Sequence, residues 1–160
     1  MTRLLPLLFL SVLAGCGVSA PEPYPVVICH ATKDPIQCPT EEGDGIRAVQ
    51  VFSEHVLYLA DDEPLEIHWY DWDEPFDETG DVSGYTETHT YPTRVHVRNT
   101  GVMMHELTHV ALYRATGNAD ANHEQPPGPW GPALNLAIEQ AADSFGTTNG
   151  VSVPGVTDHE

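Results

Sequence analysis

The hydrophobic and polar positions of this chain repeat with two periods, and the switch between them marks the elements. From Gly45 onward, Val49, Phe52, Val56 and Leu59 recur at steps of three, four and three, the period of a helix with one apolar stripe. The stretch Asp61-Asp62-Glu63-Pro64 is expected to end that helix. Leu65 to Tyr70 alternates instead, with Leu65, Ile67 and Trp69 on one side, and reads as a half-buried strand. Arg94 to Arg98 alternates again, through Val95 and Val97. Gly101 to Thr116 returns to the helical period, with Gly117 placed to cap it. Ala133 to Phe145 reads as a last helix, and Val26 to Cys29 as a short first strand. The acidic stretch Asp71 to Gly84 and the Pro-rich stretch Pro126 to Pro132 read as loops. This order predicts an α+β domain with a few antiparallel strands, the two alternating strands lying as neighbours.

The N-terminus has a different pattern. Arg3 precedes the apolar run Leu4 to Ala14, which is too short to span a bilayer and is followed by Gly15-Cys16. That is a secretory leader over residues 1–15, and Leu13-Ala14-Gly15-Cys16 resembles a bacterial lipobox. Its Cys becomes the lipidated first residue, so Cys16 is expected to anchor the chain to a membrane without spanning it. Gly17 follows where an Asp would signal inner-membrane retention, so the expected place is the outer membrane or cell surface. Residues 16–25 then form a spacer, 26–146 the domain, and 147–160 a loose tail. Export permits disulfides, and Cys29 and Cys38 are expected to form one. A thiol metal site is the alternative, but no C-x-x-C is present.

Charge removes whole classes of function. The 160 residues hold 24 acidic and 6 basic side chains, for a formal charge of −18. Loss of Arg3 with the leader makes it −19. No Lys/Arg stripe exists to displace counterions, which excludes nucleic acid as a partner. Ten carboxylates fall between Asp61 and Asp81 with no Lys or Arg among them. A calcium site in Asp71 to Asp81 and a solvated acidic loop are the two readings of that cluster.

One segment carries chemistry. His105-Glu106-Leu107-Thr108-His109 is an H-E-x-x-H motif inside a helical stretch. Chance alone would place the motif in about 4% of chains of this composition, so its helical context after a strand adds weight. On a helix His105 and His109 stand one turn apart and can reach one metal ion. Glu106 lies about 60° round the helix from His109, beside the ion and able to take a proton from water. Imidazole ligands suit Zn2+, which brings the pKa of a bound water towards neutrality.

On these residues, and on the order helix, strand, strand, motif helix, the chain resembles the zincin-like zinc metallopeptidases, in a small lipoprotein form. The resemblance implies peptide-bond hydrolysis, with Glu106 as base and then as acid to the leaving amine. It also implies a strand that binds extended substrate by β-addition, for which Arg94 to Arg98 is the candidate. Leu112 and Ala115 stand where the subgroup with a nearby third His has Gly and His. A third ligand is therefore sought elsewhere. His123 lies 14 residues after His109, beyond Gly117, a spacing similar to that of the SprT-like peptidases. Glu139, in Glu139-Gln140-Ala141-Ala142-Asp143, is the rival, and its phrase is similar to the gluzincins, in which such an Asp supports a His ligand. Spacing leans towards His123, and Glu139 stays open. Tyr85, His89 and Tyr91 are weaker candidates for contacting an oxyanion, while His55, His68 and His96 read as isolated structural residues. A peptide or protein substrate is expected, with cationic sequences favoured by the acidic chain. The competing reading is a zinc-bearing or structural surface lipoprotein without turnover.

Overall fold

The computed structural model describes residues 25–30, 38, 43–59, 63–71, 83–119, 123 and 130–149. The expected leader, the lipid site at Cys16, most of the acidic stretch (72–82) and the tail from residue 150 lie outside them. Seven elements follow in chain order: β1 (Val26–Cys29), α1 (Asp44–His55), β2 (Leu65–Trp69), β3 (Gly84–Glu87), β4 (Thr93–Val97), α2 (Thr100–Thr116) and α3 (Pro132–Asn149). The fold is α+β, with three helices and one mixed four-stranded sheet among the described residues.

The strand order is β1-β2-β4-β3. β1 pairs with β2 and β2 with β4 in parallel, and only β3 and β4 are antiparallel. The expectation of a few antiparallel strands thus holds for β3 and β4 alone, and the two alternating strands, neighbours as expected, pair in parallel. The reason is the connections: a crossover through α1 joins β1 to β2, and such crossovers return the chain in the same direction. Between β2 and β4 the chain first forms β3, which folds back along the outer side of β4. β3 begins at Gly84, where the expected acidic loop ends, and is a strand that the sequence did not mark. α1 also stops at His55, short of the acidic break, and α3 runs to Asn149, three residues into the expected tail.

Alternation in the strands sorts side chains between two faces. Leu65, Ile67, Trp69, Val95 and Val97 are buried and join Phe52 of α1, Met103 and Leu107 of α2 and Ile138 and Phe145 of α3 in one core. α2 packs on β3, β4 and α3, while α1 packs on α3, α2 and β1. Asn99 caps α2, its side-chain oxygen accepting from Val102 N at 2.9 Å. At the other end Gly117 takes φ 75°, a left-handed turn that glycine adopts without a Cβ penalty. Cys29, at the end of β1, is disulfide-bonded to Cys38, with Cα atoms 6.1 Å apart. Among the described residues no helix is long and apolar enough to cross a membrane.

The opposite face carries a ladder of rings. Tyr85 stacks on His96 with centroids 4.2 Å apart, His96 on His68 at 4.8 Å and His68 on His30 at 5.2 Å. The parallel register explains it, since Ile28, His68, His96 and Tyr85 lie side by side across the sheet. His30 follows one turn of the pleat later and also stacks on Tyr70 at 4.5 Å. Tyr70 OH lies 3.1 Å from His96 Nδ1, and His30 Nε2 lies 3.0 Å from His68 Nδ1. Glu66 accepts from Arg94 Nε at 3.2 Å and sits 3.2 Å from His68 Nε2, while Glu87 Oε1 is 3.6 Å from His96 Nε2. His68 and His96 are therefore members of a cluster, not isolated residues.

Burial lowers the pKa of His96 to about 4, helped by positive charge on His68, Arg94 and His30 and opposed by Glu66. An unfolded histidine titrates near 6.5, so between pH 6.5 and pH 4 the unfolded chain binds a proton that the folded one does not. The stability contributed by neutral His96 is complete above that window and is lost as pH falls through it. The urea midpoint of the metal-free protein is expected to drop across this range, and His96→Gln to make the drop shallower. An unchanged slope in the variant would remove the ladder from the explanation.

Candidate metal centre

The motif helix presents its histidines as the spacing requires. His105 and His109 stand one turn apart on α2, with ring centroids 5.0 Å apart. Neither could be joined by a third ligand from α2 itself, because the helix continues away from them. The left-handed turn at Gly117 ends it, and the chain comes back. Two residues later the Ala119 carbonyl accepts from His109 Nδ1 at 2.6 Å. A carbonyl only accepts, so Nδ1 carries the hydrogen and Nε2 keeps the lone pair a metal needs.

The returning chain then delivers His123. Its ring lies 4.8 Å from that of His105 and 5.2 Å from that of His109, centroid to centroid. His123 has φ 48°, a left-handed backbone that costs a non-glycine residue energy and is kept only where its surroundings demand it. The three residues' ligand atoms all lie within 4.8 Å of one another. Between His123 Nε2 and His109 Nε2 the distance is 3.3 Å. Two ligands on one tetrahedral ion with metal–nitrogen bonds of about 2.0–2.1 Å stand about 3.3 Å apart, so this spacing fits such an ion. His105, His109 and His123 thus form a group that could hold a metal ion.

Electrostatics around the group differ between its members. Burial, and then the nearby His109 and His123, lowers the pKa of His105 to about 4. A neutral imidazole is the ligating form. Glu106 is 6% exposed, and burial pushes its pKa up to about 7 against the opposing hydrogen bond from Thr86. That bond runs from Thr86 Oγ1 to Glu106 Oε2 at 2.7 Å.

Trp130 closes one side. Its ring centroid is 4.9 Å from those of His105 and His109 and 4.2 Å from that of His123. The indole Nε1–H donates to Asn135 Oδ1 at 3.0 Å, which ties the ring to the first turns of α3.

Glu139 is not brought to the group. Ile138, Ala141, Ala142 and Phe145 form the buried stripe of α3, which turns Glu139 and Asp143 outward to exposed positions. The Arg94 to Arg98 strand does not offer an edge to substrate either. As β4 it is hydrogen-bonded to β2 on one side and β3 on the other, so its backbone groups are already used. The sheet edge beside α2 is β3. Tyr85 of that strand stacks on the ladder of the far face, Tyr91 is 85% exposed, and His89 Nδ1 lies 3.0 Å from Tyr113 OH.

Thr86, Trp130 and the Ala119 carbonyl escaped sequence reasoning. Thr86 sits on a four-residue strand whose positions are all half-buried, so no alternation marks it. Trp130 lies between prolines and glycines, where no period exists to read. No family model, curated protein or solved structure matches this chain.

Proposed function

We propose that the protein is a zinc-dependent peptide hydrolase of the zincin-like kind. The observation that supports this best is the convergence of His105, His109 and His123, with a buried glutamate, Glu106, next to His105 in the chain. When bound, zinc supplies a Lewis acid that polarises the scissile carbonyl and acidifies water. Glu106 takes a proton from the attacking water as its oxygen bonds to the carbonyl carbon. It then returns that proton to the amine nitrogen as the carbon–nitrogen bond breaks. The outer edge of β3 takes over the role expected of the Arg94 strand and pairs with an extended peptide. Export and a lipid on Cys16 belong to the proposal on the strength of residues 1–16 alone.

One observation favours a zinc-bearing protein without turnover. Trp130 lies against all three imidazoles and narrows the approach to them. A diverse peptide library separates the readings. The zinc-loaded protein is expected to cleave it, to stop when a chelator strips the metal, and to resume when zinc returns. Cleaved sequences should be rich in Lys and Arg, a bias that weakens with salt. A fully zinc-loaded protein that cleaves nothing leaves only the non-catalytic reading.

A further inference from the structure

β3 meets Glu106 at two points. Gly84 and Thr86 are two residues apart on the strand, so they share the face that packs on α2. Thr86 Oγ1 lies 2.7 Å from Glu106 Oε2 and 3.3 Å from the Glu106 carbonyl oxygen. A hydroxyl has one hydrogen to give, and the shorter contact, to the carboxylate, takes it. At Gly84 a Cβ would collide with Val102 Cγ1 and would stand 3.2 Å from Glu106 Cγ. Val102 and Glu106 are one turn apart on α2, so the bare glycine lets the strand lie directly on that stripe. Gly84 thereby bounds the stem of Glu106, and Thr86 holds its head.

We propose that Thr86, seated by Gly84, is the positioning residue of Glu106: by holding Oε2 it keeps Oε1 available to the water at the metal centre. The proposal rests on Glu106 being the proton carrier. A free glutamate side chain rotates about three torsions, and a base that wanders is in place only part of the time. Fixing one oxygen from β3 removes that freedom. The same strand has the edge to which a peptide would add, so base and scissile bond share one rigid frame. Burial alone would need only some donor for the carboxylate, from any element. A donor on the substrate strand also sets the geometry between base and substrate.

The test uses the zinc-loaded full chain and its Thr86→Val, Thr86→Ser and Glu106→Gln variants. Valine keeps the branched shape of threonine and removes the donor; Thr86→Ala serves if valine prevents folding. Acetohydroxamate is the probe, because it binds a metal while its hydroxyl hydrogen-bonds an oriented carboxylate. Zinc affinity is expected to stay within about threefold in all variants, since the donors are imidazoles. Hydroxamate affinity should fall roughly tenfold in Thr86→Val, recover in Thr86→Ser, and fall no further when Thr86→Val is added to Glu106→Gln. Peptide turnover should fall roughly ten- to a hundredfold in kcat with little change in KM. Wild-type hydroxamate affinity in Thr86→Val overturns the proposal, as does an equal loss in the Glu106→Gln background, which would make Thr86 a packing residue. Wild-type behaviour of Glu106→Gln itself is a different failure and removes Glu106 as proton carrier along with its positioning residue. The hydroxamate arm needs no turnover, so an inactive wild type does not blunt it.

Discussion

Glu106→Gln is expected to bind zinc as tightly as the wild type and to lose hydrolysis by roughly a thousandfold. The two halves of this result come from different atoms. Metal affinity is expected from the imidazoles of His105, His109 and His123, the group that could hold an ion, and the substitution changes none of their donor atoms. In the proposed reaction proton transfer is assigned to a carboxylate that is 6% exposed and held by Thr86 at 2.7 Å. Glutamine has the same shape, and its amide oxygen can still accept from Thr86. It cannot take a proton from water. The buried site also gains from losing an ionisable group, so the variant should fold at least as well. Zinc content by atomic absorption, beside initial rates on a cleaved peptide, checks the result. A variant that keeps more than about a tenth of the rate would mean that general-base work is done elsewhere.

Removal of the third imidazole gives the other large effect. His123→Ala is expected to weaken zinc binding by roughly a hundredfold or more, while Glu139→Ala leaves it unchanged. The chain holds His123 against its neighbours by a left-handed backbone at φ 48° and sets its Nε2 3.3 Å from that of His109. Without it, two helical ligands remain, and two imidazoles cannot close a tetrahedral catalytic site. Glu139 is exposed because the apolar stripe of α3 is buried. Competition against a chromophoric chelator measures both variants. Unchanged affinity in His123→Ala, or a large loss in Glu139→Ala, would reverse the assignment of the ligand.

Both variants probe choices that differ in how far they could be read without the fold. His105 and His109 sit four residues apart in a helix whose period is visible in its own residues. Their convergence needs nothing more distant than one helical turn. The same holds for β2, where Leu65, Ile67 and Trp69 alternate, and for the Gly117 end of α2. Strand direction was not legible in this way. β2 and β4 alternate identically whether they pair parallel or antiparallel, and the connections through α1 and β3 decided between the two. The histidines of the far face were likewise scattered in sequence, at positions 30, 68 and 96, until the parallel register stacked them.

The sequence by itself therefore determined the helices, three of the four described strands, two metal-ligand candidates and the carboxylate next to them in the chain. Each depends on neighbours within a turn or a pleat, where covalent geometry leaves few choices. Only the tertiary structure decided the third histidine, the indole that walls the group, the strand that holds Glu106 and the place of β3 at the end of the described sheet. Those depend on where a 14-residue excursion from His109 lands and on which strand reaches α2 first. Such outcomes are set by the summed packing of α1, α2, α3 and the sheet, and no local period records them.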